Sequence, residues 1–157
     1  MGSDQHFPTQ GLLSAPADPQ FAERIRASFA RQKAMTLIGA SLATVGPGLV
    51  EIALPYRDDL TQQKGYVHGG IVGMIADSAA GYAAYSLMPA DCTLVTAEYK
   101  INLLSSATCA LVARGEVMKA GRTLTVARAE VYASDGTHIA SMQQTLMMLP
   151  GRTDHPE

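Results

Sequence analysis

Apolar positions first recur at helical spacing. Phe21, Ile25 and Phe29 lie four apart behind Asp18-Pro19, with Arg24, Arg26 and Arg31 elsewhere around the turn. This spacing predicts a short amphipathic helix reaching about Lys33. The run Met35 to Val45 is apolar and reads as a strand. Gly46-Pro47-Gly48 marks a turn. Leu49 to Tyr56 then sets Val50, Ile52 and Leu54 on one face at period two, so the two runs read as a hairpin. A polar loop, Arg57 to Val67, leads into a segment that is apolar almost all round. It predicts a long buried helix from near Gly69 that stops before Pro89. Gly73 and Gly81 within it suggest close packing of something against the helix, because glycine costs a helix interior about 1 kcal/mol relative to alanine.

Four strand-like runs follow: Thr93 to Leu104, Cys109 to Lys119, Thr123 to Ala133 and His138 to Leu149. Ser105-Ser106, Ala120-Gly121 and Ser134-Asp135-Gly136 separate them. In the first run Thr96, Glu98, Lys100 and Asn102 share one face, and Val95, Tyr99, Ile101 and Leu103 share the other. A helix that is apolar on most sides must be covered on most sides. A curved antiparallel sheet wrapped around it does this, which predicts an α+β fold of the hotdog kind.

Composition narrows the function. The 157 residues suggest a single domain over 18–150, with a loose arm at 1–17 and a tail at 151–157. A net charge of -2 offers no basic face for nucleic acid. Ile71 to Met88 is about long enough to span a bilayer, but Asp77 near its middle would be costly in lipid, so no membrane span is expected. Cys92 and Cys109 form no CxxC pair. With no signal peptide visible, they read as free thiols of a cytoplasmic protein. No metal-ligand spacing is present, so no metal is expected.

The candidate chemistry sits at the start of the long helix. Gln62 to Gly70 runs straight into it, and the first amides of a helix lack internal partners and carry partial positive charge. Gly69 and Gly70 leave those amides open to a developing oxyanion, or they simply make a tight turn. Asp77 is the only charged residue between Lys64 and Asp91. It reads either as a general base or nucleophile, or as a structural carboxylate bonded to Thr96 or to backbone. His68 is equally open between a direct role and a loop histidine. Gly69 and Asp77 lie eight residues apart, about 12 Å along a helix. That is too far for both to act on one carbonyl carbon within one chain. If both act on one substrate, the site is shared between antiparallel helices of a dimer.

The segment Val67-His68-Gly69-Gly70-Ile71-Val72-Gly73-Met74-Ile75-Ala76-Asp77, the strand Val95 to Asn102 and the turn Ala120-Gly121-Arg122-Thr123 resemble the hotdog acyl-CoA thioesterases of the phenylacetate-degradation (PaaI-like) type. The resemblance covers about Leu49 to Met148. It implies hydrolysis of an acyl-CoA to free acid and CoA, with no cofactor beyond the CoA of the substrate, by a homotetramer made of two dimers. Asp77 would be nucleophile or general base, and the Gly69 amide would polarise the carbonyl. His68 and Gln62 would hold the thioester and the local geometry, and Thr96 would position Asp77 or water. Relatives often carry Asn in place of Gln62, Glu in place of Asp77 and Ser in place of Thr96. Gly70, Lys100 and Arg122 are candidates to meet CoA, although Lys100, Arg122 and Arg114 also read as ordinary solvated charges. Tyr82, Tyr85, Met74 and Leu60 could line an acyl pocket or belong to the core. The competing reading is a non-catalytic acyl-CoA binding or sensor protein on the same fold.

Overall fold

The computed structural model describes residues 15–152 and 154. Most of the expected arm, residues 1–14, and tail residues 153 and 155–157 lie outside the described residues. Helix α1 spans Phe21–Arg31 and seats Ile25 fully in the core. A second short helix, α2, spans Lys33–Ile38 and ends at Gly39, whose φ of 76° closes it in the left-handed region. This corrects the strand expected from Met35. Met35 and Ile38, three residues apart, are buried, while Leu37 between them is 75% exposed. That is a helical period, which a short apolar run does not distinguish from a strand.

The strands are β1 (Ser41–Gly46), β2 (Leu49–Leu54), β3 (Cys92–Leu103), β4 (Leu111–Ala120), β5 (Leu124–Ala133) and β6 (His138–Pro150). They form one antiparallel sheet in the order β1-β2-β4-β5-β6-β3. The hairpin expected around Pro47-Gly48 joins β1 to β2, and Val50, Ile52 and Leu54 point to the core. Helix α3 (Gly69–Tyr85) begins at the expected residue and contacts every strand from β2 to β6. The sheet therefore wraps the helix, as a hotdog fold requires. The step from β2 through α3 carries the chain to β3 at the far edge, where it pairs with β6 on one side and leaves its other side open.

Small residues set how closely helix and sheet approach. Ala76, Ala79, Ala80 and Ala83 of α3 are fully buried, as are Ala113, Ala127, Ala129 and Ala140 of the strands. The tightest contact falls on the sheet: a Cβ added at Gly115 of β4 would lie 2.2 Å from the Ala79 carbonyl carbon. Gly73 and Gly81, expected to mark that contact, have only ordinary neighbours near 4 Å.

At the other end of α3, Arg24 of α1 closes the helix. Its guanidinium donates to the carbonyls of Tyr85 (3.0 Å), Met88 (2.8 Å) and Pro89, and lies 4.3 Å from the Tyr85 ring centre. Carbonyls at a helix C-terminus lack internal partners and favour a cation. Ser86 locks the same end to the hairpin, accepting from the Gly48 amide and donating to the Ala83 carbonyl, both at 2.7 Å. Among the described residues, no helix is long and apolar enough to cross a membrane.

Candidate active site

Strand β3 carries an irregularity that builds half of the site. Thr96 pairs with Leu146, but the next pair is Glu98 with Thr145, so Ala97 is an extra residue in the ladder. The bulge flips the alternation. Thr96 faces the helix with Leu146, whereas Glu98, Lys100 and Asn102 face outward with Thr145, Gln143 and Ser141. Thr96 therefore does not share a face with those three residues, contrary to the unbroken alternation expected from the sequence. Its hydroxyl instead donates to Asp77 Oδ1 at 2.8 Å. Asp77 is partly exposed in the middle of α3 and lines a cleft of about 190 Å³ with Ser28, Gln32, Tyr82, Tyr85 and Leu94. Burial pushes the Tyr82 phenol up, although its hydrogen bond with Ser28, at 3.1 Å, opposes this. Tyr82 and Tyr85 line that cleft while lying largely buried in the core; Leu60 and Met74 are not among the cleft's lining residues.

The other half is the loop-to-helix junction. His68 is the N-cap of α3, with extended backbone, and its Nδ1 accepts from the Gly70 amide at 2.9 Å. With Nδ1 an acceptor, a neutral His68 carries its proton on Nε2, free to donate outward. The cap also occupies Gly70, expected to meet substrate. Among the described residues, the Gly69 amide has no hydrogen-bond partner. Gln62 Oε1 accepts from the Lys64 amide at 2.8 Å, which holds the loop and leaves the Gln62 NH2 group as a donor. Gln62 and Gly69 line a second cleft with Tyr66, Leu103 and Ser105.

The described chain therefore brings Thr96 to Asp77 and Gln62 to Gly69, but in two separate clefts. Lys100 lies on the outer face and donates to Asn102 at 2.8 Å. Arg122 is exposed in the β4–β5 turn. Arg114 is held by Glu51 and Glu116 on the outer face. Gln144 was missed by the sequence reading. It is fully buried, and its Nε2 donates to the Asp77 carbonyl at 3.2 Å. The signal was available: Ala140, Met142, Leu146 and Met148 alternate as an apolar face, and Gln144 interrupts it.

A thioester carbonyl needs a group that delivers a nucleophile and a donor that takes up negative charge on oxygen; Asp77 and the Gly69 amide are of those two kinds. Residues 64–140 match the model of the thioesterase superfamily. The chain is 49% identical to a thioesterase family protein of Silicibacter pomeroyi of known structure; the match covers 83% of this chain and 99% of that one, with a TM-score of 0.81. A proposed esterase of Halobacterium salinarum is 29% identical over 108 residues, 66% of this chain and 72% of that protein. The PaaI protein of the Escherichia coli phenylacetic acid degradation operon shares the fold, with a TM-score of 0.78 at 17% identity over 84% of this chain and 95% of that one. The chain belongs to the thioesterase superfamily, whose common chemistry is hydrolysis of acyl thioesters.

Proposed function

We propose that this protein hydrolyses an acyl-CoA thioester to free acid and CoA, at a site shared between two subunits. The observation that carries the reading is the Asp77 carboxylate, held by Thr96 on an otherwise apolar helix whose first amide, at Gly69, is open. As general base, Asp77 takes a proton from water while the water oxygen adds to the thioester carbonyl carbon. The C–S bond then breaks, the acid is released and the CoA sulfur takes up the proton. As nucleophile, Asp77 would instead displace CoA to form a mixed anhydride, which water opens. In both routes the negative oxygen of the tetrahedral intermediate is bound by the Gly69 amide. His68 and Gln62 present outward-facing donors to the thioester.

The shared site is supported by the distance along α3 and by the two separate clefts. It is also supported by β3, a twelve-residue strand at the sheet edge with Val95, Tyr99 and Leu103 each more than 40% exposed. Such an edge suits pairing with a second copy about a two-fold axis. The resemblance extends this dimer to a homotetramer, with CoA at subunit interfaces near Lys100 or Arg122.

The test is free-thiol release from a panel of aryl, medium-chain and long-chain acyl-CoAs. Asp77→Asn is expected to lose most of kcat and to keep CoA-ester affinity close to wild type. Near-wild-type turnover in Asp77→Asn would reject the assignment. Tight acyl-CoA binding with no thiol release by the wild type would instead indicate a sensor.

A further inference from the structure

We infer that Gln144 is a positioning residue for Asp77, fixing through its side-chain amide the turn of α3 that carries the carboxylate; this rests on the catalytic reading of Asp77 above. Gln144 lies in β6, between Ala127 of β5 and Tyr99 of β3. It is fully buried, and its Nε2 donates to the Asp77 carbonyl at 3.2 Å. That carbonyl already faces the Gly81 amide along the helix, so Gln144 adds a second donor from the sheet. Gly81 lies beside it on the helix: a Cβ there would be in ordinary contact with Gln144 Nε2, at 4.0 Å.

The rest of the side chain argues against simple packing. Gln144 Oε1 is buried and has no hydrogen-bond partner among the described residues. An amide half-satisfied in a core is a poorer choice than Met or Leu of similar size if filling space were all that counted. What the amide achieves is a fixed link between the sheet and one residue of the helix. Asp77 is gripped twice, its carboxylate by Thr96 of β3 and its backbone by Gln144 of β6. Both grips come from the stretch where β3 and β6 pair across the Ala97 bulge. Together they fix the rotation of α3 about its axis at Asp77 and hence where the carboxylate points. Attack on a carbonyl carbon tolerates little error in that direction.

The experiment measures steady-state thiol release and thermal unfolding of the intact protein for wild type, Gln144→Met, Asp77→Asn and the double variant. The acyl-CoA is the best substrate found in the panel. Gln144→Met keeps the volume and removes the unpartnered acceptor, so its Tm is expected to equal or exceed that of wild type. Its kcat is expected to fall about tenfold or more, with KM within about twofold. In the Asp77→Asn background the same substitution is expected to leave the residual rate unchanged, because Gln144 acts through Asp77. A wild-type kcat in Gln144→Met overturns the inference, and so does an equal further loss in the Asp77→Asn background. If Gln144→Met does not fold, Gln144→Asn carries the test: it keeps the amide but withdraws it by one methylene, and a wild-type kcat there is equally fatal. Retained turnover in Asp77→Asn would defeat the catalytic reading itself, and this inference with it.

Discussion

The Thr96 hydroxyl donates to Asp77 at 2.8 Å, and it can do so only because Ala97 bulges out of β3. Continued alternation in the register of Glu98, Lys100 and Asn102 would turn Thr96 away from the helix. A hydroxyl bonded to an ionised carboxylate contributes about 1.5–3 kcal/mol. If that bond orients Asp77 for attack, Thr96→Val lowers kcat by about 10- to 100-fold with little change in KM. Thr96→Ser, which keeps the donor, retains most activity. Steady-state thiol release compares the two, and an equal loss in both would show that the methyl matters and the hydroxyl does not.

The two-cleft arrangement makes a stricter prediction about subunits. Gly69 is the first residue of α3, where proline is tolerated and removes only an amide that the helix does not use. A side chain there would meet Leu103 at 2.7 Å, so Gly69→Pro is best paired with Leu103→Ala. This double variant is expected to fold and to lose about 10²- to 10³-fold in kcat, as removal of an oxyanion donor does. Each heterodimer of Asp77→Asn with Gly69→Pro/Leu103→Ala contains one site of two with both groups intact, and statistical exchange makes half of the dimers heterodimers, so about a quarter of wild-type activity returns on mixing. Two dead partners that stay dead after subunit exchange would put the site within one chain.

The elements were largely legible in the sequence, and their exceptions have physical causes. His68-Gly69-Gly70 announced the start of α3 because a cap and two side-chain-free residues leave few other conformations. Met35 to Ile38 was misread because a short apolar run satisfies helix and strand alike until burial separates Leu37 from its neighbours. The Ala97 bulge left no mark, since one extra alanine changes the register without changing the pattern of residue types. Strand order was out of reach as well, so neither the exposed edge at β3 nor the approach of Gln144 to Asp77 followed from spacing, whereas Thr96 was among the partners expected for the Asp77 carboxylate. The paired carboxylate and helix start were visible, while the groups that aim them were set by tertiary contacts.

Gly115 tests how closely α3 must sit. A Cβ there would overlap the backbone at Ala79 and Ala80, which cannot swing aside as a side chain can. Gly115→Ala is expected to destabilise the fold by about 1–3 kcal/mol or more. Gly73→Ala, facing only ordinary contacts, is expected to be near neutral or slightly stabilising. Urea titration of both reads the difference, and equal stability would mean that the helix–sheet spacing is softer than the contact implies.

Acid should weaken the outer face of the sheet. The Glu116 carboxyl is held below its usual range, first by its hydrogen bond to Arg128 and then by Arg114, against a desolvation that works the other way. A lowered pKa in the folded state means that the stabilisation is full above the unfolded value, about 4.3, and is lost as pH falls through the folded value. Glu116→Gln is therefore less stable than wild type at neutral pH, and the gap narrows as pH falls below the unfolded value and on through the lowered folded one. Paired unfolding curves across that range check it; a gap independent of pH would assign the effect to shape rather than charge.

Arg24 links the stability of α3 to the cleft beside Asp77. Its guanidinium serves three carbonyls at the end of the helix, pairs with Asp18 at 3.3 Å and covers the Tyr85 ring. The same helix α1 supplies Ser28 and Gln32 to the cleft. Arg24→Ala strands those carbonyls and loosens α1, for an expected loss of about 2–3 kcal/mol. In a domain of this size that lowers Tm by about 5–10 °C. Arg24→Lys recovers only part of it, because an ammonium cannot spread over three acceptors as the planar fork does. Since α1 walls the cleft but not the Gly69 junction, KM for acyl-CoA is expected to rise in Arg24→Ala more than kcat falls. A variant with lowered Tm and unchanged KM would separate the helix cap from the cleft beside Asp77.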